Sequence, residues 1–335
     1  MVVGHILVFR LGRGYQWTEV ASLGVLMFFV LSGFLITGLL CSEESMRLTV
    51  SLRNFYVRRA FRILPAFACF ILVVICLKYL GFIADASWKT IAVSVVFLRN
   101  FFGSGPTLGH LWSLSLEEQF YLIWPIAFKL LGRRRLFAPT LGLILGVALY
   151  RGVAICFAPY DYGRGIFEIR TDFRIDSILV GCALALFLDR RKRRPQQFST
   201  LVRWLTHPVW VIPVLTWWTL ACDVGAFRSV YLSVQTVLVL SLVFHVIAFQ
   251  DSKVSQSMRA RWLRFVGLIS YSLYLWQQPF LVVNEPSWGV IRKLPWCIGM
   301  CVAVAVLSYF FVERPFLRMK RRFSTTHEEV PVALA

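Results

Sequence analysis

Long apolar stretches alternate with short polar or basic connections along the whole chain. Many stretches approach or exceed the ~18–20 residues that an α-helix needs to cross the hydrocarbon core of a bilayer. Helices satisfy their own backbone hydrogen bonds and are therefore the usual way for apolar segments of this length to cross lipid. The pattern predicts an all-α, polytopic membrane helix bundle, and the clearest examples are Val20–Cys41, Phe137–Ala158, Ser229–Phe249, Leu263–Val283 and Leu294–Val312.

Composition supports a membrane location. Hydrophobic residues make up 58% of the chain and charged residues 16%, whereas soluble domains average ~45–50% and ~25%. The eight cysteines lie in or at the ends of apolar segments and read as small buried hydrophobes. The five histidines are scattered without the spacing of metal ligands, so no metal site and no permanently bound cofactor is expected.

The net charge of +19 comes from basic clusters between the apolar segments. This placement is typical of residues that set membrane topology, so no nucleic-acid partner is expected. If the basic connections face the cytoplasm, the chain alternates regularly and both termini are cytoplasmic. The connections richest in Lys and Arg are 42–62, 133–135, 190–194, 251–264 and 314–322.

One short segment breaks this alternation. Trp88–Phe102 contains Arg99 and would reverse every downstream connection if it crossed the membrane. We therefore predict a re-entrant or interfacial helix there, on the outer side, and about ten transmembrane helices in all. The predicted membrane domain covers 1–323 and is followed by a disordered cytoplasmic tail over 324–335. Met1–Phe9 is too short to span. Either the first helix is only half a helix, or the true start lies upstream and Met1 is an internal methionine, and we favour the second interpretation.

Ionisable residues inside apolar segments are costly and often functional. His5 precedes an apolar run and could act as a general base near neutral pH, or be a core histidine satisfied by a backbone carbonyl. Glu117 and Glu118 are adjacent carboxylates near the outer end of a predicted helix. They could face a polar cavity or form structural ion pairs.

Two further charged groups lie at helix ends. Arg58, Arg59 and Arg62 stand at the predicted cytoplasmic mouth of the third helix, where guanidinium groups suit phosphate oxygens or serve topology. Asp172, Arg174 and Asp176 open another helix. The spacing places the two aspartates on one face, where they could bind substrate or stabilise the helix dipole.

Taken in order, these residues resemble the integral-membrane acyltransferase-3 family, the bacterial O-acetylases of lipopolysaccharide, peptidoglycan and other glycans. The resemblance covers nearly the whole chain and no single motif carries it. The matching stretches are His5 with GVLMFFVLSGFLIT (24–37), YVRRAFRILPAF (56–67), HLWSLSLEEQFYLIWP (110–125), TDFRIDSILVGCALA (171–185), GLISYSLYLWQQPF (267–280) and FVERPF (311–316).

The resemblance implies a multi-pass protein of the bacterial cytoplasmic membrane, in contact with membrane lipid. Acetyl-CoA or another acyl-CoA would dock from the cytoplasm with its phosphates near Arg58, Arg59 and Arg62. His5, with Glu117 and Glu118, would transfer the acyl group to a hydroxyl of a glycan or lipid-linked sugar at the outer side.

The remaining polar residues of these motifs are assigned to substrate binding or structure, and they are Asp172, Arg174, Asp176, Gln277 and Glu313. Gln277 stands where the family commonly has histidine, and glutamine can hydrogen-bond but cannot act as a base near pH 7. The family's arginine upstream of the histidine would lie before Met1. Two alternatives remain open. One is a transporter or flippase with a polar cavity, and the other is an acyltransferase of a small-molecule acceptor.

Overall fold

The computed structural model describes residues 5–6, 16–157, 166–192, 198–221, 228–282, 289–290 and 293–320. These residues form fifteen α-helices and one π-helix, in agreement with the all-α prediction. The helices are α1 (Gln16–Arg47), α2 (Leu52–Tyr79), α3 (Trp88–Val95), α4 (Leu111–Arg135), α5 (Phe137–Phe157), α6 (Ile166–Ile169), α7 (Thr171–Arg174), α8 (Asp176–Lys192), α9 (Thr200–Leu205), α10 (Pro208–Ala221), α11 (Arg228–Ala248), α12 (Lys253–Ser257), α13 (Arg261–Leu281), α14 (Trp296–Ser308), the π-helix (Tyr309–Glu313) and α15 (Arg314–Lys320).

Five segments of the described chain are helical, long and apolar enough to cross a membrane, and the protein is a multi-pass membrane protein. They are Val20–Arg47, Leu52–Tyr79, Phe137–Phe157, Val230–Ala248 and Trp296–Met319. The total of about ten crossings and the cytoplasmic location of both termini stay predictions. The predicted disordered tail lies outside the described residues, as does most of the first predicted helix.

Helix α3 is too short to cross a membrane. It has eight residues and therefore a length of about 12 Å, against a hydrocarbon core of about 30 Å. Ser87 caps its first turn by accepting a hydrogen bond from the Thr90 backbone amide at 3.0 Å. This agrees with the prediction that Trp88–Phe102 does not span, although the side of the membrane on which it lies stays a prediction.

The chain divides into two compact units. Of the residues that the structure describes, the first unit contains those within 16–50 and 116–258, and the second contains 5–6 and those within 51–115 and 259–320. Helix α4 begins in the second unit, and its residues from Leu116 onward belong to the first.

The first unit is built on a close crossing of α1 and α8. An ideal Cβ placed on Gly33 would lie 2.0 Å from the carbonyl oxygen of Ile178, and one on Gly181 would lie 2.0 Å from that of Val30. Only glycine permits this approach of two backbones, which is the usual role of small residues between membrane helices. A buried apolar cluster packs around this crossing. It consists of Leu26, Val30, Phe34, Leu184, Ala185, Leu215, Val239 and Val243.

Polar bonds also hold helices of the first unit together. The indole Nε1 of Trp124 on α4 donates to Thr37 Oγ1 on α1 at 2.9 Å. The Tyr121 and Ser32 hydroxyls of the same two helices are hydrogen-bonded as well. Hydrogen bonds of this kind contribute to helix association in lipid, where apolar side chains gain little by leaving the hydrocarbon for each other.

The second unit contains α2, α3, α13, α14 and the C-terminal helices. The Tyr271 hydroxyl on α13 donates to the Ile63 carbonyl on α2 at 3.0 Å, close to Pro65, where the helical ladder is interrupted. The aromatic ring of Phe70 on α2 meets Trp276 on α13 edge to face, with centroids 5.3 Å apart. These contacts fix α2 against α13, the two helices that surround the polar cluster described next.

Candidate functional site

His5 lies in the second unit, next to Gln277. The side chains of His5 and Gln277 share a hydrogen bond, and Gln277 Nε2 also lies 3.2 Å from the Tyr274 carbonyl, to which it donates. Gln277 is fully buried on α13. Gln277 thus orients the imidazole of His5, and its assignment to the site stays a prediction.

A second histidine, His110, lies in the same cluster. Its side chain is 4% exposed, and His5 is within electrostatic reach of it. The Phe70 ring packs edge to face against the imidazole with centroids 5.6 Å apart, and the Tyr274 ring lies 5.1 Å away. The sequence reasoning quoted His110 only as the first letter of a motif, so its place beside His5 is a finding of the structure.

Proline explains which polar groups face His110. Pro279 lies inside α13 and has no N–H, so the carbonyl of Leu275 four residues earlier loses its helical donor. That carbonyl faces the His110 ring, and the Gln278 side chain lies beside it. Even so, neither ring nitrogen of His110 has a hydrogen-bond partner of good geometry among the described residues.

An ordered loop leads into His110. The Arg99 guanidinium is buried and donates to the carbonyl oxygens of Phe102, Gly103 and Gly105 at 3.2–3.4 Å. Asp85 accepts from the amide and hydroxyl of Thr107 at 2.8 and 2.6 Å. Arg99 thus holds the backbone of this loop, and a buried cation with carbonyl ligands fixes the entry into α4.

The predicted donor arginines lie on the first turns of α2. Arg58 is buried, and the Arg59 guanidinium carbon lies 5.8 Å from the centroid of the Phe55 ring. Arg62 is exposed and interacts electrostatically with Glu313. The structure leaves Arg59 and Arg62 partly accessible, while Arg58 faces the interior.

Glu313 closes the π-helix in the second unit. It is 4% exposed and accepts a hydrogen bond from the Ser272 hydroxyl on α13. A π-helix is a widened turn that often occurs at functional sites. Here it turns Glu313 toward α13, with Arg62 nearby, so the predicted donor arginine and the predicted polar residue Glu313 belong to one electrostatic group.

The two predicted carboxylates of α4 belong to the first unit. Glu117 is 2% exposed and Glu118 is half-buried. The next residue, Gln119, accepts a hydrogen bond from the Thr171 hydroxyl at 2.5 Å. Burial of Glu117 agrees with the expectation that it is no solvated surface residue, and its assignment to catalysis stays a prediction.

The aspartates of the TDFRID motif have separate partners. Asp172 forms a half-exposed pair with Arg170 at 2.8 Å, whereas Asp176 forms a buried pair with Arg151 at 2.9 Å. Arg174 is buried and its Nη2 donates to Ser22 Oγ at 3.3 Å. The chain turns at Ile175 between α7 and α8, so the motif supplies two different ion pairs.

Arg151 was missed by the sequence reasoning. It is fully buried on α5 and donates to the Phe173 carbonyl, to Asp176 Oδ2 and to Ser233 Oγ, the last at 2.7 Å. The signal was present, because Arg151 is the only charged residue of the apolar helix Phe137–Phe157. Its three hydrogen-bond partners indicate that Arg151 has a structural role and connects neighbouring segments of the first unit.

Comparison with known proteins agrees with the motifs. A family model described as an acyltransferase domain, Acyl_transf_3, matches residues 1–312. The chain belongs to the acyltransferase-3 family. The resemblance inferred from the sequence is thereby confirmed. No solved structure matches the chain.

Three curated relatives are all named as O-acetyltransferases. The chain is 29% identical to a putative peptidoglycan O-acetyltransferase YrhL of Bacillus subtilis over 90% of this chain and 51% of that protein. It is 28% identical to the peptidoglycan O-acetyltransferase OatA of Listeria monocytogenes over 92% and 53%. It is 30% identical to the O-acetyltransferase OatA of Staphylococcus aureus over 94% and 55%. The chain thus spans about half the length of these relatives.

Proposed function

We propose that this chain is a membrane O-acyltransferase that transfers an acetyl or other acyl group from acyl-CoA to a hydroxyl of a glycan or glycolipid. Membership of the acyltransferase-3 family supports the reaction class. The names of the relatives support O-acetylation and make peptidoglycan the first acceptor to test. The donor would bind from the cytoplasm and the acceptor at the outer face of the bacterial cytoplasmic membrane.

The observation that carries this proposal is the half-buried imidazole of His5, which shares a hydrogen bond with Gln277. Acyl transfer needs a group that takes a proton from a hydroxyl or receives the acyl group itself, and histidine does either near neutral pH. A glutamine partner fixes the ring without adding a second charge. We therefore propose His5 as the central residue of the reaction.

The chemistry is a simple exchange at one carbonyl carbon. The acceptor oxygen forms a bond to the acyl carbon, the bond from that carbon to the CoA sulfur breaks, and the hydroxyl proton finally reaches the thiolate. His5 mediates this exchange as the acyl carrier or as the base. Exclusion of water by the buried cluster around it disfavours hydrolysis of the donor.

Arg59 and Arg62 are the proposed phosphate ligands of the donor. They belong to the same end of α2 and retain access from outside the helix. Guanidinium groups bind phosphate oxygens through paired, charge-assisted hydrogen bonds. Arg62 also interacts with Glu313, so that carboxylate competes with the donor phosphates for this side chain.

The test of the reaction compares cells with and without the chain by mass spectrometry of their surface glycans. The expected result is one acyl mass increment in cells that express the wild-type chain and its loss with His5→Ala. The control is His245→Ala, which should keep the increment. His245 is a buried histidine on α11 of the first unit, and its Nδ1 shares a 3.2 Å hydrogen bond with Thr206.

Two results would contradict the proposal. Wild-type acylation by a well-expressed His5→Ala variant would remove His5 from the reaction. Identical glycans with and without the wild-type chain would exclude a glycan acceptor, and the same cell extracts would then be searched for an acylated small molecule or a transported one.

The donor site is tested by acyl-CoA affinity in nanodiscs. Each charge-assisted bond to phosphate contributes about 1.5–3 kcal/mol, so Arg59→Lys or Arg62→Lys should weaken binding roughly tenfold to a hundredfold. Arg53→Lys makes the same change at an exposed position of the same helix and should bind like wild type. The variant Glu313→Gln removes the charge that Arg62 interacts with. Its acyl-CoA affinity therefore shows whether a change at Arg62 acts through lost phosphate contacts or through Glu313. Unchanged affinity in the Arg59 and Arg62 variants would leave the cluster as a topology signal.

A further inference from the structure

His110 is a buried titratable group of the second unit to which the proposed function assigns no role. Its side chain is 4% exposed, yet both ring nitrogens lack a hydrogen-bond partner of good geometry among the described residues. A neutral imidazole offers one donor and one acceptor. A buried imidazole that makes neither hydrogen bond is costly in free energy, so a buried histidine of this kind needs a specific explanation.

A structural histidine of this protein is held differently. His245 is as deeply buried as His110, but its Nδ1 shares a hydrogen bond with the Thr206 hydroxyl at 3.2 Å. The His110 ring instead is positioned by aromatic edges, those of Phe70 and Tyr274. Packing therefore fixes the orientation of the ring. Its nitrogens face the Gln278 side chain and the Leu275 carbonyl without a hydrogen bond of good geometry, so a bound hydroxyl can compete for them.

Two neighbours of His110 on α13 also have unused polar atoms. Gln278 Oε1, beside the imidazole, and Trp276 Nε1, whose ring shares the Phe70 contact, are buried without a hydrogen-bond partner in the described part of the chain. Gln278 Oε1 and the two imidazole nitrogens together offer both a donor and acceptors at one place, and Trp276 Nε1 is a further unused donor on the same helix. A hydroxyl group, which donates once and accepts twice, complements this arrangement.

The position of His110 next to His5 assigns the chemistry. Consecutive glutamines of α13 reach the two rings, Gln277 to His5 and Gln278 to His110. We propose that His110 is the general base that takes the proton of the acceptor hydroxyl, while His5 carries the acyl group between donor and acceptor. This inference rests on the proposed function and divides its chemistry between two histidines.

The two half-reactions balance with both histidines neutral at the end. In the first, a ring nitrogen of His5 bonds to the acyl carbon, the carbon–sulfur bond breaks, and the thiolate takes the proton from the other nitrogen of His5. In the second, the acceptor hydroxyl gives its proton to His110 as its oxygen bonds to the acyl carbon. The bond to His5 then breaks, and the released imidazolate takes the proton from His110.

Rapid-quench experiments on the whole chain in detergent separate the two steps. The probes are acetyl-CoA labelled in the acetyl group and soluble peptidoglycan fragments, with free CoA, labelled protein and labelled fragments measured in parallel. His110→Asn should release about one CoA per protein molecule and keep the label on the protein, while transfer falls by about 10²–10⁴-fold, the usual worth of a general base. His5→Asn should lose both steps, and His245→Asn should behave like wild type.

Two further measurements distinguish a lost base from a misfolded protein. Variants are compared only when they elute as monodisperse protein, with His110→Gln and His110→Ala as further choices, and added imidazole should restore part of the transfer by His110→Ala. Wild-type transfer rates in the His110 variants, or loss of CoA release together with transfer, would overturn the assignment. Absence of transfer by the wild-type chain would instead overturn the proposed function, and the inference with it.

Discussion

The buried pair of Arg151 and Asp176 allows a sharp prediction about stability. Arg151 Nη2 lies 2.9 Å from Asp176 Oδ2, and the side chains are 0% and 4% exposed. The same guanidinium donates to Ser233 Oγ at 2.7 Å and to the Phe173 carbonyl. The change to test is Arg151→Met, which keeps the length of the side chain and removes its charge.

The expected loss is large because Asp176 is left as an unpaired charge. Removing one partner of a buried ion pair costs about 3–5 kcal/mol. At about 2–4 °C per kcal/mol, the thermal midpoint should fall by roughly 10 °C. The double variant Arg151→Met with Asp176→Asn should lose less than the sum of the single variants, because no buried charge is then left unpaired.

The assay is thermal unfolding of the purified chain in one detergent, with an exposed ion pair as the matched control. Arg203 Nη2 lies 2.7 Å from Asp251 Oδ2, an even shorter separation, but these side chains are 42% and 67% exposed. Arg203→Met should therefore change the midpoint little, since solvent screens the pair.

Equal midpoints for Arg151→Met and Arg203→Met would refute the reasoning that burial makes the first pair matter. The same proteins also test Asp176 as a substrate ligand. A double variant that stays folded and transfers acyl groups at the wild-type rate would make Asp176 structural. Loss of transfer in a stable double variant would return it to the substrate site.

Two further predictions concern packing and topology. Gly33→Ala places a Cβ 2.0 Å from the Ile178 carbonyl oxygen, so its thermal midpoint should fall well below that of Gly38→Ala, where no atom lies within 4 Å; equal midpoints would contradict the close crossing of helices. Single cysteines at Ser87 and Ser104, two exposed residues beside the start of α3, should both react with an impermeant thiol reagent applied outside, and reaction of either only from the cytoplasm would refute the proposed topology.

Much of the fold could be predicted from the lengths of the apolar segments alone. Val20–Cys41 and Phe137–Ala158 were predicted as helices, and the structure has helices Gln16–Arg47 and Phe137–Phe157 in their place. The lengths of apolar runs are read directly from the sequence, because lipid demands a continuous helix. The count of crossings depends on which shorter or more polar helices enter the membrane, such as Pro208–Ala221, and hydropathy does not decide this.

The candidate site was predicted in part. His5 and Gln277 were singled out from motifs, and the structure joins them by a hydrogen bond. The sequence did not predict His110 as a site residue, because its proposed role depends on residues far away in sequence. Among them is Leu275, whose carbonyl loses its helical donor at Pro279. The i, i+4 spacing of Asp172 and Asp176 suggested a shared face. Their partners could not be read from that spacing, because the arginines that bind them lie outside it.

The π-helix Tyr309–Glu313 has a consequence for how this region can vary in length. A widened turn accommodates an additional residue within an otherwise regular helix. Each residue of an α-helix advances the side-chain direction by about 100°. Deleting one residue between Ser308 and Glu313 would convert the turn to regular α-helix and keep the angular phase of Arg314–Lys320 nearly unchanged, but Glu313 would lose the widened turn that directs it to Ser272. The length of this turn therefore determines the direction of the Glu313 carboxylate, and a one-residue deletion here should break the hydrogen bond to Ser272 as a substitution of Glu313 would.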